Sequence, residues 1–313
     1  MKTAITIFIL FLTLPLSAQP NIVAEEILIL NDSIKLPGTL TYDKNIKVQP
    51  LVIFIHGSGN VDRNGNQAGT IANANYIKQL SDSLNLKGIA FYRYDKRTAT
   101  AENLKFVMKD LVFDRFVEDA SLAVDKFKDD SRFSSISLIG HSQGSLVGML
   151  LAKNTKIDKY ISLAGPSQPF DETLITQVRT QNGDSIANIV ENHFKQLKEK
   201  GTIDNLDPNL AGMFKKTNQT FFSTWMAYNP SEEIKKLKVP SLIINGDKDL
   251  QVSVEDANTL HKYNEGSELV IIENMNHVLK TIENDEDNIK SYSAPEYPLS
   301  SKLITTVVAF IKK

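Results

Sequence analysis

A serine between two glycines is the first feature of this sequence that can do chemistry. The segment Gly140-His141-Ser142-Gln143-Gly144 fits the pattern G-x-S-x-G, which places a serine hydroxyl on a sharp turn between a strand and a helix. The apolar run 136–139 enters the segment, and the apolar residues of 146–151 leave it as a helix. A Cβ at either glycine would collide with the approaching chain. We therefore predict Ser142 as a nucleophile; a glycine-rich turn with an idle serine is the alternative.

A serine hydroxyl is a weak nucleophile at neutral pH and needs a histidine to accept its proton. Of the five histidines, His56 and His141 precede the serine and His193 lies in a long polar segment, so in the chain order serine, acid, histidine only His261 and His277 remain. His261 falls inside a helical pattern at 254–263, whereas His277 lies in a loop after the apolar run 268–272. A loop beyond the carboxyl end of a strand brings an imidazole toward the serine. We predict His277 as the base; an ordinary loop histidine is the alternative.

The histidine in turn needs a carboxylate that holds its tautomer. The apolar run 239–245 ends in Gly246-Asp247-Lys248-Asp249, and either aspartate can face the loop that contains His277. Without the serine and the histidine, both aspartates would be interpreted as solvated turn residues. Spacing alone leaves the choice between Asp247 and Asp249 open.

Acyl transfer also requires hydrogen-bond donors that face the developing oxyanion, each worth about 3 to 4 kcal/mol in other enzymes. Gln143 provides one backbone N–H at the start of the predicted helix. The apolar run 51–55 continues into His56-Gly57-Ser58-Gly59, whose small residues let backbone N–H groups approach a substrate. We assign the second donor to Ser58, although such a stretch on its own is more often a plain turn.

The rest of the chain alternates strands and helices that would position these groups. Residues 23–42 alternate apolar and polar residues around a turn at 31–33, as in an antiparallel hairpin. Short apolar runs predict buried strands at 51–55, 88–92, 135–139, 159–163, 239–245 and 268–272. Helical spacing predicts helices at 71–84, 111–127, 142–153, 254–263 and 299–312. This order predicts an α/β fold with a mostly parallel central sheet and helices on both faces.

A long and mostly polar segment, residues 167–236, interrupts the alternation after the sixth strand. We expect it to be a helical cap inserted into a single domain that spans residues 19–313. The segment contains Phe221, Phe222 and Trp225. These side chains either line an acyl pocket or anchor the cap to the domain, and the second role is the more common one for aromatic residues in a cap.

Composition narrows the possible functions. A chain of 313 residues that is 42% hydrophobic suits one large globular domain. The formal net charge is -2 and no basic run stands out, so nucleic acid is not an expected partner. The chain has no cysteine, which excludes a thiol nucleophile and a thiolate metal site. No histidine pair has the spacing of H-E-x-x-H, and the predicted chemistry requires neither a metal nor an organic cofactor.

The amino terminus predicts export. Lys2 precedes the apolar run 4–16, and the small residues Ser17 and Ala18 follow, as in a secretory signal peptide. The run is shorter than the roughly 20 residues of a membrane-spanning helix, so a cleaved signal peptide at 1–18 is favoured over an uncleaved anchor. We expect a periplasmic or extracellular protein whose mature chain has no stable membrane insertion. The sequence leaves the oligomeric state open.

Together these motifs resemble the α/β-hydrolase superfamily over nearly all of residues 19–313. The resemblance is carried by the segments 56–59, 140–144, 246–252 and 276–277, which follow the order of that family. It implies the following roles: Ser142 as nucleophile, Asp249 as acid, His277 as base, and Ser58 with Gln143 as oxyanion donors.

The branch with the strongest resemblance is that of secreted bacterial serine esterases and serine aminopeptidase-like enzymes. It implies hydrolysis of small-molecule carboxylic esters through an acyl-enzyme. A peptidase that acts on short peptides is the alternative, and a buried acidic pair at Glu232-Glu233 would favour it. A hydrolase-like binding protein without activity is less favoured.

Two further segments resemble secondary features of these enzymes. Tyr94-Asp95-Lys96-Arg97 is similar to a stretch that packs beneath the site, where we expect a structural ion pair rather than catalysis. Val61-Asp62-Arg63-Asn64 continues the oxyanion loop. It either braces this loop or contacts a polar substrate.

Overall fold

The computed structural model describes residues 19–313, so the predicted signal peptide at 1–18 lies outside the described residues. The strands are β1 (Ile22–Asn31), β2 (Ile34–Asp43), β3 (Gln49–Ile55), β4 (Ala90–Tyr94), β5 (Phe133–His141), β6 (Lys159–Leu163), β7 (Ser241–Gly246) and β8 (Glu268–Ile272). The α-helices are α1 (Tyr76–Asn85), α2 (Leu104–Val107), α3 (Asp114–Phe127), α4 (Gln143–Asn154), α5 (Phe170–Asn182), α6 (Asp184–Lys200), α7 (Lys216–Trp225), α8 (Pro230–Ile234), α9 (Val254–Tyr263), α10 (Asp287–Lys290) and α11 (Ser301–Lys312).

The strands form one sheet in the order β1-β2-β4-β3-β5-β6-β7-β8. Strand β2 pairs antiparallel with β1 and β4, and the strands from β3 to β8 run parallel to one another. The β1–β2 hairpin turns at Asp32, whose φ of 52° is a left-handed value that aspartate tolerates in turns. The predicted α/β-hydrolase fold, with its mostly parallel sheet, is confirmed.

Alternation of side chains along the buried strands divides the core into two layers. On β5 and β6, Leu138 and Tyr160 face one layer, whereas Ile139 and Ile161 face the other. Helices α3, α4 and α9 pack on the first layer, and α1 and α11 pack on the second. The buried residues of α11 recur at intervals of three or four positions, which gives this helix one apolar face. Helices therefore cover both faces of the sheet.

Two helices begin three or more residues later than their periodicity predicts. The helix predicted from residue 71 begins at Tyr76, because Asn75 has a left-handed φ of 50° and ends the preceding loop. The helix predicted from residue 111 begins at Asp114, where the backbone N–H of Phe113 donates to the hydroxyl of Thr224 at 3.0 Å. Apolar residues of a packed loop have the same spacing as those of a helix, so periodicity alone extends each helix into the loop before it.

Helices α5 to α8 form the cap, between β6 and β7 in the chain. The cap contacts the domain through aromatic side chains. Trp225 on α7 stacks on Phe113 just before α3, with ring centroids 5.4 Å apart. The cap is thereby held over the carboxyl end of β5 and the start of α4, where Trp225 and Ser142 border the same cleft.

The segments that carry the predicted chemistry all follow parallel strands. Ser58 lies after β3, Ser142 after β5, Asp249 after β7 and His277 after β8. Because the carboxyl ends of parallel strands meet at one edge of the sheet, the fold brings these four segments together. Within residues 19–313, no helix has both the length and the apolar character to span a bilayer.

Candidate active site

Ser142 occupies the turn between β5 and α4 with φ 53° and ψ -122°, a conformation of the kind that costs about 1–3 kcal/mol. Its backbone N–H donates to the carbonyl of Leu163 at 2.9 Å. A Cβ on Gly140 would strike the backbone of Gly144, and a Cβ on Gly144 would strike the carbonyl of Ile55. The closely packed backbones of β3, β5 and α4 therefore hold the strained turn. The side chain of Ser142 lines the cleft.

Asp249 and His277 are joined by a hydrogen bond of 2.8 Å between Oδ2 and Nδ1. The other carboxylate oxygen accepts two backbone N–H groups of its own turn, at 2.7 and 3.0 Å. The Asp249 side chain is 1% exposed. Asp247 instead accepts the backbone N–H of Asn274. The structure thus places Asp249, and not Asp247, against the histidine.

His277 lines the cleft together with Ser142, and its hydrogen bond to Asp249 sets its tautomer. The bond to Asp249 makes Nδ1 the protonated nitrogen, so Nε2 is the proton acceptor. Within the described range neither Nε2 of His277 nor Oγ of Ser142 has a protein hydrogen-bond partner, and both residues line the same cleft. Bonds between a nucleophile and its base are often long before substrate binds and shorten afterwards. The arrangement is therefore one in which a bound substrate can bring the two atoms together.

His141, next to the nucleophile, supports the loop of His277. Its Nε2 lies 2.9 Å from the backbone carbonyl oxygen of His277, and its Nδ1 lies 3.3 Å from the hydroxyl of Tyr76. Burial, reinforced by the nearby imidazoles of His277 and His56, lowers the pKa of His141 well below its usual range. Burial raises the pKa of Tyr76. His141 is therefore neutral, donates through Nε2 and accepts the Tyr76 hydroxyl through Nδ1.

Ser58 and Gln143 border the cleft beside Ser142. Gln143 is the first residue of α4, a position whose N–H has no acceptor inside the helix. Across the part of the chain that the structure describes, no backbone carbonyl accepts the N–H of Ser58. A Cβ on Gly57 would lie 3.2 Å from the Cβ of Ser142, so glycine lets this loop approach the nucleophile. Two unused N–H donors therefore flank the serine.

The cleft has two halves that meet at Ser58 and Ser142. The half that we call the histidine half has a mixed lining, with the polar side chains of Gln67, Tyr76, Gln251, His277 and Tyr292 and the apolar side chains of Val61, Ala74 and Val278 among others. The half that we call the cap half lies under the cap and is also mixed, with the apolar side chains of Leu146, Pro166, Phe170, Trp225, Pro230 and Val252 and the polar side chains of Gln168, Thr173 and Gln177 among others.

Of the three aromatic residues singled out in the cap, Trp225 reaches the cleft. Its ring stacks on that of Phe170, with centroids 3.8 Å apart and an angle of 14° between the planes. Phe221 and Phe222 line neither half. Phe221 packs against Phe116 of the domain, and Phe222 packs among aromatic residues of the cap. Phe221 therefore helps to hold the cap on the domain, Phe222 packs inside the cap, and neither is part of the pocket wall.

Sequence reasoning did not identify Phe170, Gln67, Gln251 and Tyr292 as cleft residues. Gln251 lies two positions after Asp249, and this closeness was a usable signal. The other three come from the cap, from the loop after Ser58 and from the segment between β8 and α11. No local pattern marks them, because only the packing of these segments brings them to the cleft.

The segment Asp95-Lys96-Arg97 packs beneath the cleft. Asp95 and Arg63 form two parallel hydrogen bonds, both 2.9 Å long, and Arg97 pairs with Asp119 at 2.7 Å. Arg63 therefore braces the loop of Ser58 from below. Asp95 and Arg97 form the expected structural ion pairs, whereas Lys96 binds other groups.

No candidate metal site accompanies this arrangement. Across residues 19–313 there is no cluster of three or more histidine, aspartate or glutamate side chains with the geometry to hold a metal ion.

Residues 40–263 match the family model described as BD-FAE. This span includes the cap and all of the predicted site residues except His277. The chain belongs to the BD-FAE family. Esterase EstD of Thermotoga maritima is 28% identical to this BD-FAE family member over 250 residues, which are 78% of this chain and 58% of EstD. The chain therefore spans less than two thirds of the length of that relative.

Solved structures share the fold of this BD-FAE family member. Est1E from Butyrivibrio proteoclasticus aligns with a TM-score of 0.59 and 21% identity, over 92% of this chain and 99% of Est1E. The esterase Pf2001 of Pyrococcus furiosus aligns with a TM-score of 0.57 and 18% identity, over 93% of this chain and 90% of that enzyme. At these identities the likeness shows the fold, which is that of the α/β-hydrolases.

Proposed function

We propose that this protein is a serine hydrolase that cleaves carboxylic esters through a covalent acyl-enzyme. The proposal is carried by the single cleft that Ser142 shares with the hydrogen-bonded pair of Asp249 and His277. The unused backbone N–H groups of Ser58 and Gln143 beside the serine support it further. Similarity to EstD, which is named an esterase, points to the same activity.

In this mechanism Oγ of Ser142 attacks the ester carbonyl while Nε2 of His277 takes its proton. Asp249 stabilises the resulting imidazolium through Nδ1. The N–H groups of Ser58 and Gln143 donate to the oxyanion of the tetrahedral intermediate. His277 then gives its proton to the leaving alcohol. In the second stage water, activated by His277, attacks the acyl-enzyme, which releases the carboxylic acid and regenerates the serine.

The two halves of the cleft correspond to the two parts of the substrate. The leaving alcohol must receive a proton from His277, which lines the histidine half and not the cap half. The acyl group then extends into the cap half, against the stacked rings of Phe170 and Trp225. We therefore propose esters of an acid whose apolar or aromatic group packs on these rings. Ferulic acid, which is bound in a solved structure of Est1E, is an acid of this kind and a suitable probe.

The charge of the cleft favours an esterase over an aminopeptidase, which would hold the amino group of its substrate with a carboxylate. Within the described residues no aspartate or glutamate lines either half of the cleft. Glu233 of the candidate acidic pair is buried, but it binds Lys153 at 3.1 Å and Lys236 at 2.7 Å. Its neighbour Glu232 is exposed. Neither glutamate lines the cleft, so the two do not form a buried acidic pair that could hold the amino group of a substrate there.

The test uses the purified protein and a Ser142→Ala variant. We expect hydrolysis of p-nitrophenyl esters, no hydrolysis of aminoacyl-naphthylamides, and covalent labelling of the wild type alone by a fluorophosphonate. Equal labelling of the variant would contradict the role of Ser142. A wild type that neither reacts with the fluorophosphonate nor cleaves the esters would favour a binding protein that has the fold without the activity.

A further inference from the structure

Lys96 is a buried lysine directly beneath the loop of Ser58. It follows β4 and is 5% exposed. Its Nζ donates to the backbone carbonyl of Gly57 at 2.7 Å and to Oε1 of Gln143 at 2.5 Å. It also lies 4.4 Å from the ring centroid of Phe116. One amino group therefore connects the two segments that carry the proposed oxyanion donors.

The bond to Gly57 acts directly on one of these donors. The carbonyl of Gly57 and the N–H of Ser58 belong to the same planar, trans peptide group, so they point in opposite directions. When Lys96 fixes the carbonyl from below, it also fixes the direction of the N–H. The side chain that Lys96 holds on the other segment belongs to Gln143, whose own N–H is the second donor. Donors that are fixed in advance need no reorganisation as charge develops on the oxyanion.

Lys96 does not serve to neutralise a carboxylate. Asp95 is bound by Arg63, and Asp119 is bound by Arg97; across residues 19–313 Lys96 forms no salt bridge of its own. Burial lowers the pKa of Lys96 to about 7, against the opposing effect of Asp119. Such burial of a lysine is costly. A neutral amine still has two N–H bonds, which are enough for the two acceptors, so the contacts do not require the charge.

We propose that Lys96 is a positioning residue for the oxyanion hole: it sets the direction of the Ser58 N–H and the position of Gln143 without touching the substrate. This inference rests on the proposed ester hydrolysis and adds a residue to it. It also assigns a role to the middle position of the segment Asp95-Lys96-Arg97, whose two outer residues form ion pairs.

The test compares Lys96→Met with Lys159→Met as a matched control. Nζ of Lys159 also donates to two acceptors, the backbone carbonyls of Phe310 and Ile311, both at 2.9 Å. Lys159 begins β6, so it lies at the end of the sheet opposite the cleft. Both substitutions remove a lysine that donates to two oxygen atoms. Only Lys96→Met removes contacts with the segments that carry the proposed oxyanion donors.

With p-nitrophenyl acetate we expect kcat of Lys96→Met to fall about 10- to 100-fold while KM stays within about twofold, since oxyanion donors act on the transition state. The Ki of trifluoroacetophenone, a ketone that forms a tetrahedral adduct with serine, should rise by the same factor as kcat/KM falls. Lys159→Met should retain the wild-type kcat and Ki.

A folded Lys96→Met enzyme with wild-type kcat and Ki would overturn the proposal. A fall in kcat without the matching rise in Ki would overturn it as well, since partial loss of folded enzyme produces that result. If Lys96→Met does not fold, Lys96→Gln, which keeps an amide NH₂ donor on a shorter side chain, should show the same parallel changes to a smaller extent. Unchanged values would again reject the role. A wild type without esterase activity or fluorophosphonate labelling contradicts the proposed function itself, which separates the two failures.

Discussion

The Nε2–H of His141 donates a hydrogen bond to the backbone carbonyl of His277 at 2.9 Å, across 136 positions of sequence. His141, the residue before Ser142, thus holds the loop that carries His277. The two imidazole rings are 4.8 Å apart, and the lowered pKa of His141 keeps its own ring neutral. The turn of Ser142 and the loop of His277 are therefore coupled through one neutral side chain.

Replacement of His141 by leucine should lower kcat about tenfold with little change in KM, because the carbonyl of His277 loses its donor and the base is held less precisely. His261→Leu is the matched control. His261 lies on α9, its Nδ1 is hydrogen-bonded to Oγ of Ser267 at 2.9 Å, and its side chain does not line the cleft. Steady-state kinetics on p-nitrophenyl acetate, with folding checked by circular dichroism, measure the effect. Equal kcat values for the two variants would show that His141 does not position the base.

Asp249→Asn should lower kcat by about 10³- to 10⁴-fold, the size seen when the acid of such a triad is replaced by its amide and the histidine takes the wrong tautomer. Asp247→Asn in the same turn should stay within about threefold of the wild type, since Asp247 only accepts the backbone N–H of Asn274. Both variants are assayed with the same ester. If the two lose similar amounts of activity, Asp249 is not the specific partner of His277.

Trp225→Leu should change acyl preference more than reactivity. We expect kcat/KM for p-nitrophenyl ferulate to fall about tenfold, because the cap half loses the ring that stacks on Phe170, while p-nitrophenyl acetate is cleaved within about threefold of the wild-type rate. Phe221→Leu, which removes an aromatic ring of the cap outside the cleft, should lower Tm and leave the ratio of the two substrates unchanged. If Trp225→Leu does not change the ratio of kcat/KM for the ferulate ester to that for the acetate ester, the acyl group does not bind against Trp225.

The free energy of unfolding of the wild type, minus that of Lys96→Met, should increase as pH rises from 7 to 9.5. Burial lowers the pKa of Lys96 to about 7 in the folded state, whereas an unfolded lysine titrates near 10.4. Between these values the unfolded state binds the extra proton, so the free energy of unfolding rises by at most about 1.4 kcal/mol per pH unit. Below pH 7 Lys96 is charged in the folded state as well, so the full cost of burying that charge lowers the free energy of unfolding.

Other groups near Lys96 do not obscure this window. Burial lowers the pKa of His56 to about 3 and raises that of Tyr94 well above its usual range, so both stay neutral, and Asp119 is paired with Arg97. Urea unfolding at several pH values, taken as the difference between the two proteins, measures the slope. A difference that does not vary with pH would show that Lys96 titrates at its ordinary pKa.

Much of the turn around Ser142 was predictable because local backbone geometry sets it. The glycines at 140 and 144 are required wherever a strand and a helix pack this closely around a serine, and their spacing is visible in the sequence. The choice between Asp247 and Asp249 was not predictable from spacing. The two side chains belong to one turn, and the path of that turn decides which carboxylate meets His277.

The contacts of the aromatic residues in the cap were also not predictable from sequence patterns alone. Phe221, Phe222 and Trp225 lie on one helix and have similar burial, yet Trp225 alone among them borders the cleft. Composition and periodicity place aromatic residues in a buried helix, but they do not specify which neighbour each ring contacts. That depends on how the helix docks on the domain, as the contact of Phe221 with Phe116 illustrates.

The sequence by itself determined the alternating α/β order, the turn of Ser142 and the loop that carries His277, because apolar runs, helical spacing and glycine spacing are properties of short segments; its motifs added the resemblance to α/β-hydrolases. Only the tertiary structure decided that Asp249 binds His277, that His141 holds the loop of His277 and that Lys96 binds Gly57 and Gln143. These contacts join residues that are distant in the chain, and their geometry is set by the packing of whole elements against one another.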